Sequence, residues 1–186
     1  MGSGAYHSQF NEKQDKGQPI PFRDRQYISN LPLLPLRTSK YKGPAPQGPA
    51  DQEDIIDEAL RLFKPNILFR NFEVLGYADR LLVYITLYIS SCLNKIPHKS
   101  KGEAEKILYT YAIEPFSIPG DKTFCLGGLV TPPRNRGEAE TLRAYLTQIR
   151  QETYTRFLDI VYAHDDREPD KWWVCFSKRK FLNKTI

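Results

Sequence analysis

Residues 77–96 read Tyr77-Ala78-Asp79-Arg80-Leu81-Leu82-Val83-Tyr84-Ile85-Thr86-Leu87-Tyr88-Ile89-Ser90-Ser91-Cys92-Leu93-Asn94-Lys95-Ile96. Wound as a helix, this stretch places Leu81, Leu82, Tyr84, Ile85, Leu87, Tyr88, Ile89, Cys92 and Leu93 on every side of the wheel. A helix that is apolar all round needs other elements to enclose it. Its densest part, residues 81–93, falls short of the ~20 residues a bilayer requires. The expectation is therefore one central helix with the rest of the chain packed around it, and no membrane partner. Pro97 ends the helix, since proline cannot donate to a further turn.

Elements on either side have the pattern needed to wrap this rod. Upstream, Asp51 offers a helix cap, and Ile55, Ile56, Ala59, Leu60 and Phe63 recur at helical spacing. Pro65 should stop or kink that helix, although the period runs on through Ile67, Leu68 and Phe72. Downstream, Ser100 and Glu103 have the spacing of a capping box, followed by Ala104, Ile107, Leu108 and Tyr111 on one stripe. Asn135 and Glu138 repeat the signal before Leu142, Tyr145, Leu146, Ile149, Thr153, Phe157, Ile160 and Val161, which predicts the longest helix, to about Tyr162. Between these two, residues 114–137 form a long Pro- and Gly-rich loop, where a binding role merits consideration.

Residues 1–50 read as an extended arm that packs on the core, and 51–186 as a single helical domain. Within the arm, Leu31-Pro32-Leu33-Leu34-Pro35-Leu36 is apolar but cannot be helical. It must lie on a surface, either this domain's own core or a partner. The fold class is thus all-α: about five helices, one of them central, an extended N-terminal arm and a short C-terminal basic and aromatic segment. The 186-residue length suits one core, and 11 Tyr, 10 Phe and 2 Trp argue against a disordered chain. Three cysteines without metal or redox spacing suggest a reducing compartment, with Cys92 as core filling. The N-terminus shows no apolar stretch of signal-peptide length.

Nothing in the sequence points to catalysis. His7, His98 and His164 fall in arms or loops and read as solvated, and no Gly-rich phosphate turn follows a strand. No cofactor or metal is expected. Charge is more informative. Lys171, Lys178, Arg179, Lys180 and Lys184 put five cations and no acid in the last sixteen residues, which accounts for the whole formal net charge of +5. Trp172, Trp173, Phe176 and Phe181 are interleaved with them in a segment too short to assign to strand or helix end by period. Three readings stay open. The rings tuck into the core while the cations snorkel; the segment binds an acidic protein; or it binds nucleic acid. The balanced charge elsewhere weakens the last. The candidate partner-binding residues are Lys171, Trp172, Lys178, Arg179, Lys180 and Lys184. If the Trp172 ring is buried, Trp172→Ala should cost about 3 kcal/mol or more.

Seven stretches in order resemble the family of actin-related protein 2/3 complex subunit 3, the 21 kDa subunit. They are Ala5-Tyr6-His7-Ser8; Leu33-Leu34-Pro35-Leu36 with Tyr41-Lys42-Gly43-Pro44-Ala45-Pro46; Asp54-Ile55-Ile56-Asp57-Glu58-Ala59; Ala78-Asp79-Arg80 leading into Tyr84-Ile85-Thr86-Leu87-Tyr88-Ile89-Ser90; Ile118-Pro119-Gly120; Arg143-Ala144-Tyr145-Leu146 with Arg150-Gln151-Glu152-Thr153; and Lys171-Trp172-Trp173 through Phe181-Leu182-Asn183-Lys184. The resemblance implies a non-catalytic structural subunit of a seven-subunit assembly that nucleates branched actin filaments. It implies contact chiefly with actin-related protein 3 and with actin, no cofactor of its own, and a place in the cytoplasm at cortical actin. The alternative is a small basic helical module that binds nucleic acid.

Overall fold

Asp54, three residues after the expected Asp51, caps the first helix. Its carboxylate accepts from the amides of Ile56 and Asp57, and the Asp57 carboxylate accepts in return from the Asp54 amide. The computed structural model describes residues 4–11, 14–15, 18–19, 26–38 and 40–186. Among them are five α-helices: α1 (Ile55–Asn66), α2 (Tyr77–Lys95), α3 (Lys101–Ile113), α4 (Arg136–Val161) and the one-turn α5 (Lys171–Val174), with a 3-10 turn at Phe181–Asn183. Pro65 sits in the last turn of α1 and the helix closes one residue later. The apolar period beyond it is not helical. Ile67 is buried by the turn, while Leu68 is 58% exposed.

The chain is mostly helical, but not wholly so. Two short antiparallel ladders lie in the N-terminal region, β1 (Gln14–Asp15) with β2 (Gln18–Pro19) and β3 (Tyr27–Ile28) with β4 (Leu31–Pro32). The second closes through Ser29 and Asn30, both at positive φ (57° and 62°). That pair of left-handed residues is the tight hairpin turn whose twist matches the strands. The all-α expectation missed it because the turn carries no Gly and each strand has only two residues.

On α2, residues Ala78 to Leu93 are buried except Arg80 and Ser91. The helix packs against α1, α3, α4 and β4. Its first turn lacks a side-chain cap of its own, because Gly76 precedes it. The arm supplies one: Asn11 Oδ1 accepts the Asp79 amide at 3.0 Å. A Cβ on residue 76 would lie 2.4 Å from that oxygen, so the close approach requires glycine. Ser100 and Glu103 form the expected capping box on α3. On α4 the pattern is altered. Asn135 accepts the Glu138 amide, but the Glu138 carboxylate bonds the amide and Nε of Arg134 instead of reaching the cap.

Leu31, Leu33, Leu34 and Leu36 are all buried. The segment is held by its backbone as well as its side chains. Tyr145 Oη on α4 accepts the Leu34 amide at 2.8 Å and donates to the Leu34 carbonyl at 3.3 Å. Tyr145→Phe leaves that buried amide without an acceptor, and we expect a loss of about 1–3 kcal/mol by denaturant titration. A change below ~0.5 kcal/mol would show the arm to be held by apolar contact alone.

Candidate partner-binding surface

Two adjacent tryptophans on a helical turn project about 100° apart, so one burying its ring turns the other outward. Asp170 starts that turn: its amide donates to the Val161 carbonyl at the end of α4, and its carboxylate accepts the Trp172 amide at 2.8 Å. Trp173 is the ring that goes in. It stacks on Phe63 of α1 at 5.6 Å, meets Phe157 of α4 edge-on at 5.9 Å, and receives Lys64 Nζ 4.6 Å from its centroid. Trp172 goes out and is 66% exposed. The condition attached to Trp172→Ala, a buried ring, is not met, and the stability cost belongs to Trp173 instead.

The rest of the segment follows the same division. Phe176 meets Phe63 edge-on and Phe181 meets Phe72 at 6.0 Å, which anchors the chain to α1 and to the connection after it. Ser90 of α2 donates to the Arg179 carbonyl. Lys171, Lys178, Arg179 and Lys180 are exposed, and Lys184 is half-buried. Among the described residues, none of the five has a carboxylate within ion-pair distance. Lys178 stands between two grooves: one shared with Pro97, His98, Glu168 and Lys171, the other running along α2 with Arg179, Lys180 and Lys184. Lys171 Nζ lies 5.6 Å from the Trp172 ring. The result is an exposed indole at the edge of a surface with unneutralised positive charge. It can take up acidic side chains by charge and an apolar contact by the ring.

Several polar residues central to the structure were not singled out by pattern. His7, expected to be solvated, lies 2.9 Å from the buried Asp79 carboxylate and 4.9 Å from the Phe72 ring. Asp79 also accepts the amides of Ser8 and Leu75. Glu58 accepts the Ser8 hydroxyl and the Gln9 amide; burial pushes its carboxyl up, against those two bonds. Together with Asn66, which exchanges two bonds with the Tyr6 backbone, these groups clamp residues 6–9 to α1 and α2. An acid at a position flanked by apolar helix residues, as Asp79 is before Leu81 and Leu82, was the available signal. Arg150 and Arg156 are likewise buried on α4. No cluster of three or more His, Cys, Asp or Glu side chains suited to a metal occurs among the described residues. Burial raises the thiols of Cys92, to about 12, and Cys125, to about 11, so neither is primed as a nucleophile. No described helix is long and apolar enough to cross a membrane.

The family model described as P21-Arc, the ARP2/3 complex ARPC3 (21 kDa) subunit, matches residues 3–186. Three relatives named actin-related protein 2/3 complex subunit 3 align over nearly the full length of both chains. The one from Dictyostelium discoideum is 56% identical over 181 residues, 97% of this chain and 99% of its own. That from Schizosaccharomyces pombe is 46% identical over 182 residues, covering 98% and 99%. That from Saccharomyces cerevisiae is 38% identical over 186 residues, again 98% and 99%.

Proposed function

Because the chain belongs to the family of 21 kDa subunits of the ARP2/3 complex, we propose that it is a non-catalytic structural subunit of that complex, and that it supports the nucleation of branched actin filaments. The single observation that carries this reading is family membership along almost the entire chain. In this reading α2 is the inner rod, the other helices sheathe it, and residues 1–50 act as an arm on the helical domain of residues 51–186. The function is to hold neighbouring subunits in place, chiefly actin-related protein 3, and to meet actin at the branch. The working location is the cytoplasmic actin cytoskeleton at cortical sites. Nucleic-acid binding finds no support, since the relatives are named as subunits of a protein complex.

The interface we assign within that role is Lys171, Trp172, Lys178, Arg179, Lys180 and Lys184. The exposure of all of them but the half-buried Lys184, the lack of carboxylate partners among the described residues and the outward indole support it. Actin-like subunits offer acidic surface, which unpaired cations would steer towards and hold. Lys178→Glu, Arg179→Glu and Lys180→Glu combined should weaken reconstitution with the other subunits at least tenfold, with strong salt dependence, and leave the melting temperature of the isolated chain nearly unchanged. Equal assembly of the reversed variant would remove this surface from the interface without touching the family assignment. Pull-down of the tagged chain from cell extract without actin-related proteins would count against the role itself.

A further inference from the structure

Four cations of the C-terminal segment line one groove. Lys178, Arg179, Lys180 and Lys184 meet there along the Ser90 and Asn94 side of α2, around a recess of about 130 Å³. No acid is among the residues that line it, and none of the four cations has a carboxylate within ion-pair distance among the described residues. The backbone gathers them. Leu182 and Asn183 both stand at a φ of 53° and turn the chain back, so that Lys184 and Thr185 return to the groove that residues 177–180 began. A left-handed leucine is an uncommon and costly conformation, and crowded like charges repel.

The acids nearby do not neutralise the set. The chain's own Ile186 carboxyl accepts from Ser91 at 3.5 Å, and Glu168 lies in the neighbouring groove, beyond Lys178. Counting Ile186 against the four cations still leaves three positive charges. Neutral donors stand among them. The hydroxyls of Ser177 and Thr185 make no hydrogen bond within the described residues. Ser90 reaches the Arg179 carbonyl only at 3.4 Å, long for a hydroxyl, whose bonds centre on about 2.7–2.8 Å.

We propose that this groove binds one phosphate monoester group, carried by a phosphorylated side chain of a protein partner and held by Arg179, the three lysines and the Ser177 hydroxyl. The proposal rests on the reading of this segment as the partner-binding surface, and it names the group that the surface takes. Charge selects that group. A carboxylate cancels one of the three remaining charges, whereas a phosphomonoester brings about −1.5 to −2 at pH 7 and three strong acceptor oxygens. A guanidinium pairs with two such oxygens at once, and the ammonium groups reach the third. Size agrees: drug-sized ligands occupy pockets of about 300 Å³ or more, so this recess suits a small head group on a slender stem.

The test uses the full chain, with the backbone amide signals of residues 177–185 followed by NMR at constant ionic strength. N-acetyl-phosphoserine amide should shift them saturably, at least tenfold more tightly than N-acetyl-aspartate amide. Ser177→Ala removes a hydroxyl that makes no bond within the chain, so the fold is retained; Lys184→Gln removes one charge. Each should weaken the phosphoserine probe roughly tenfold, the worth of one hydrogen bond to a charged group. Equal affinity for the two probes would overturn the phosphate and leave the acidic-partner reading standing, since assembly of the charge-reversed variant tests that separately. Inorganic phosphate binding more tightly than the phosphoserine probe would overturn the side chain as its source. Capture of the chain on vesicles containing phosphatidylinositol bisphosphate, without competition from phosphoserine amide, would assign the cations to a membrane and overturn the proposal. So would an unchanged affinity in both variants.

Discussion

Trp173→Ala should lower the unfolding free energy by about 3–5 kcal/mol, and Trp172→Ala by less than ~0.5 kcal/mol. The two residues are neighbours of identical chemistry, so the difference comes from where the turn points them. Trp173 fills the junction of α1, α4 and the C-terminal segment, between Phe63 and Phe157. Truncating it removes a stacked pair, an edge contact and the Lys64 cation over its face, and it leaves a cavity between two helices that cannot close up without moving. Trp172 touches little but water and Lys171. Its truncation should instead appear in assembly, where an exposed Trp that becomes buried is often worth about 2 kcal/mol or more. Denaturant titration of both variants alongside reconstitution with the other subunits separates the two effects. A Trp172 variant that melts early, or one that assembles like wild type, would contradict the inward-outward division.

That division shows where the sequence stops being readable. Helical periods and caps are local signals, and they located α2, the Ser100 box on α3 and the start of α4 at Asn135. The expected cap at Asp51 lies one repeat too early, because acids recur at 51, 54 and 57 and spacing alone does not choose among them. Asp54 is the cap, with Asp57 to return the bond and Arg156 to neutralise it. Interactions that join distant segments left no periodic trace. Asn11 caps α2 across 68 residues, and His7 reaches Asp79 across 72. The six assigned surface residues were chosen for charge and aromatic content. A four-residue helix is too short for its period to show which of two adjacent indoles faces inward. Arg150 stands in a stretch that resembles the family, but its burial among Tyr88, Tyr111 and Phe116 joins segments far apart in the chain and leaves no local pattern.

Arg156→Met should destabilise the chain by about 3–5 kcal/mol at neutral pH, because it removes one partner from a buried charge network. Arg156 Nη1 and Nη2 donate to the two Asp54 oxygens at 2.7 and 2.9 Å, and Nη1 lies 3.1 Å from Asp57. Nη2 also reaches Thr38, whose hydroxyl bonds Glu152. Arg37 completes the set with two bonds to Asp57. One residue thus ties the arm, α1 and α4 together, and Asp54 and Glu152 are almost fully buried around it. Methionine keeps most of the volume, so the loss measures uncompensated charge more than cavity. The pH dependence provides a second check. Burial pushes the Asp57 carboxyl up, but the Arg37 hydrogen bond and the Arg156 charge together outweigh it and hold the group below its ordinary value. A depressed folded pKa contributes stability that is fully present above the unfolded value, about 3.9 for Asp, and is lost as pH falls below it. Without Arg156 that depression shrinks, so the gap between variant and wild type should be widest near neutrality and narrow on acidification through this window. In a cycle with Glu152→Gln, the two changes together should cost less than the sum of the single losses, since each relieves the charge the other exposes. A deficit independent of pH, or strict additivity in the cycle, would mean that Arg156 stabilises the chain by packing and that the helices are not joined through charge.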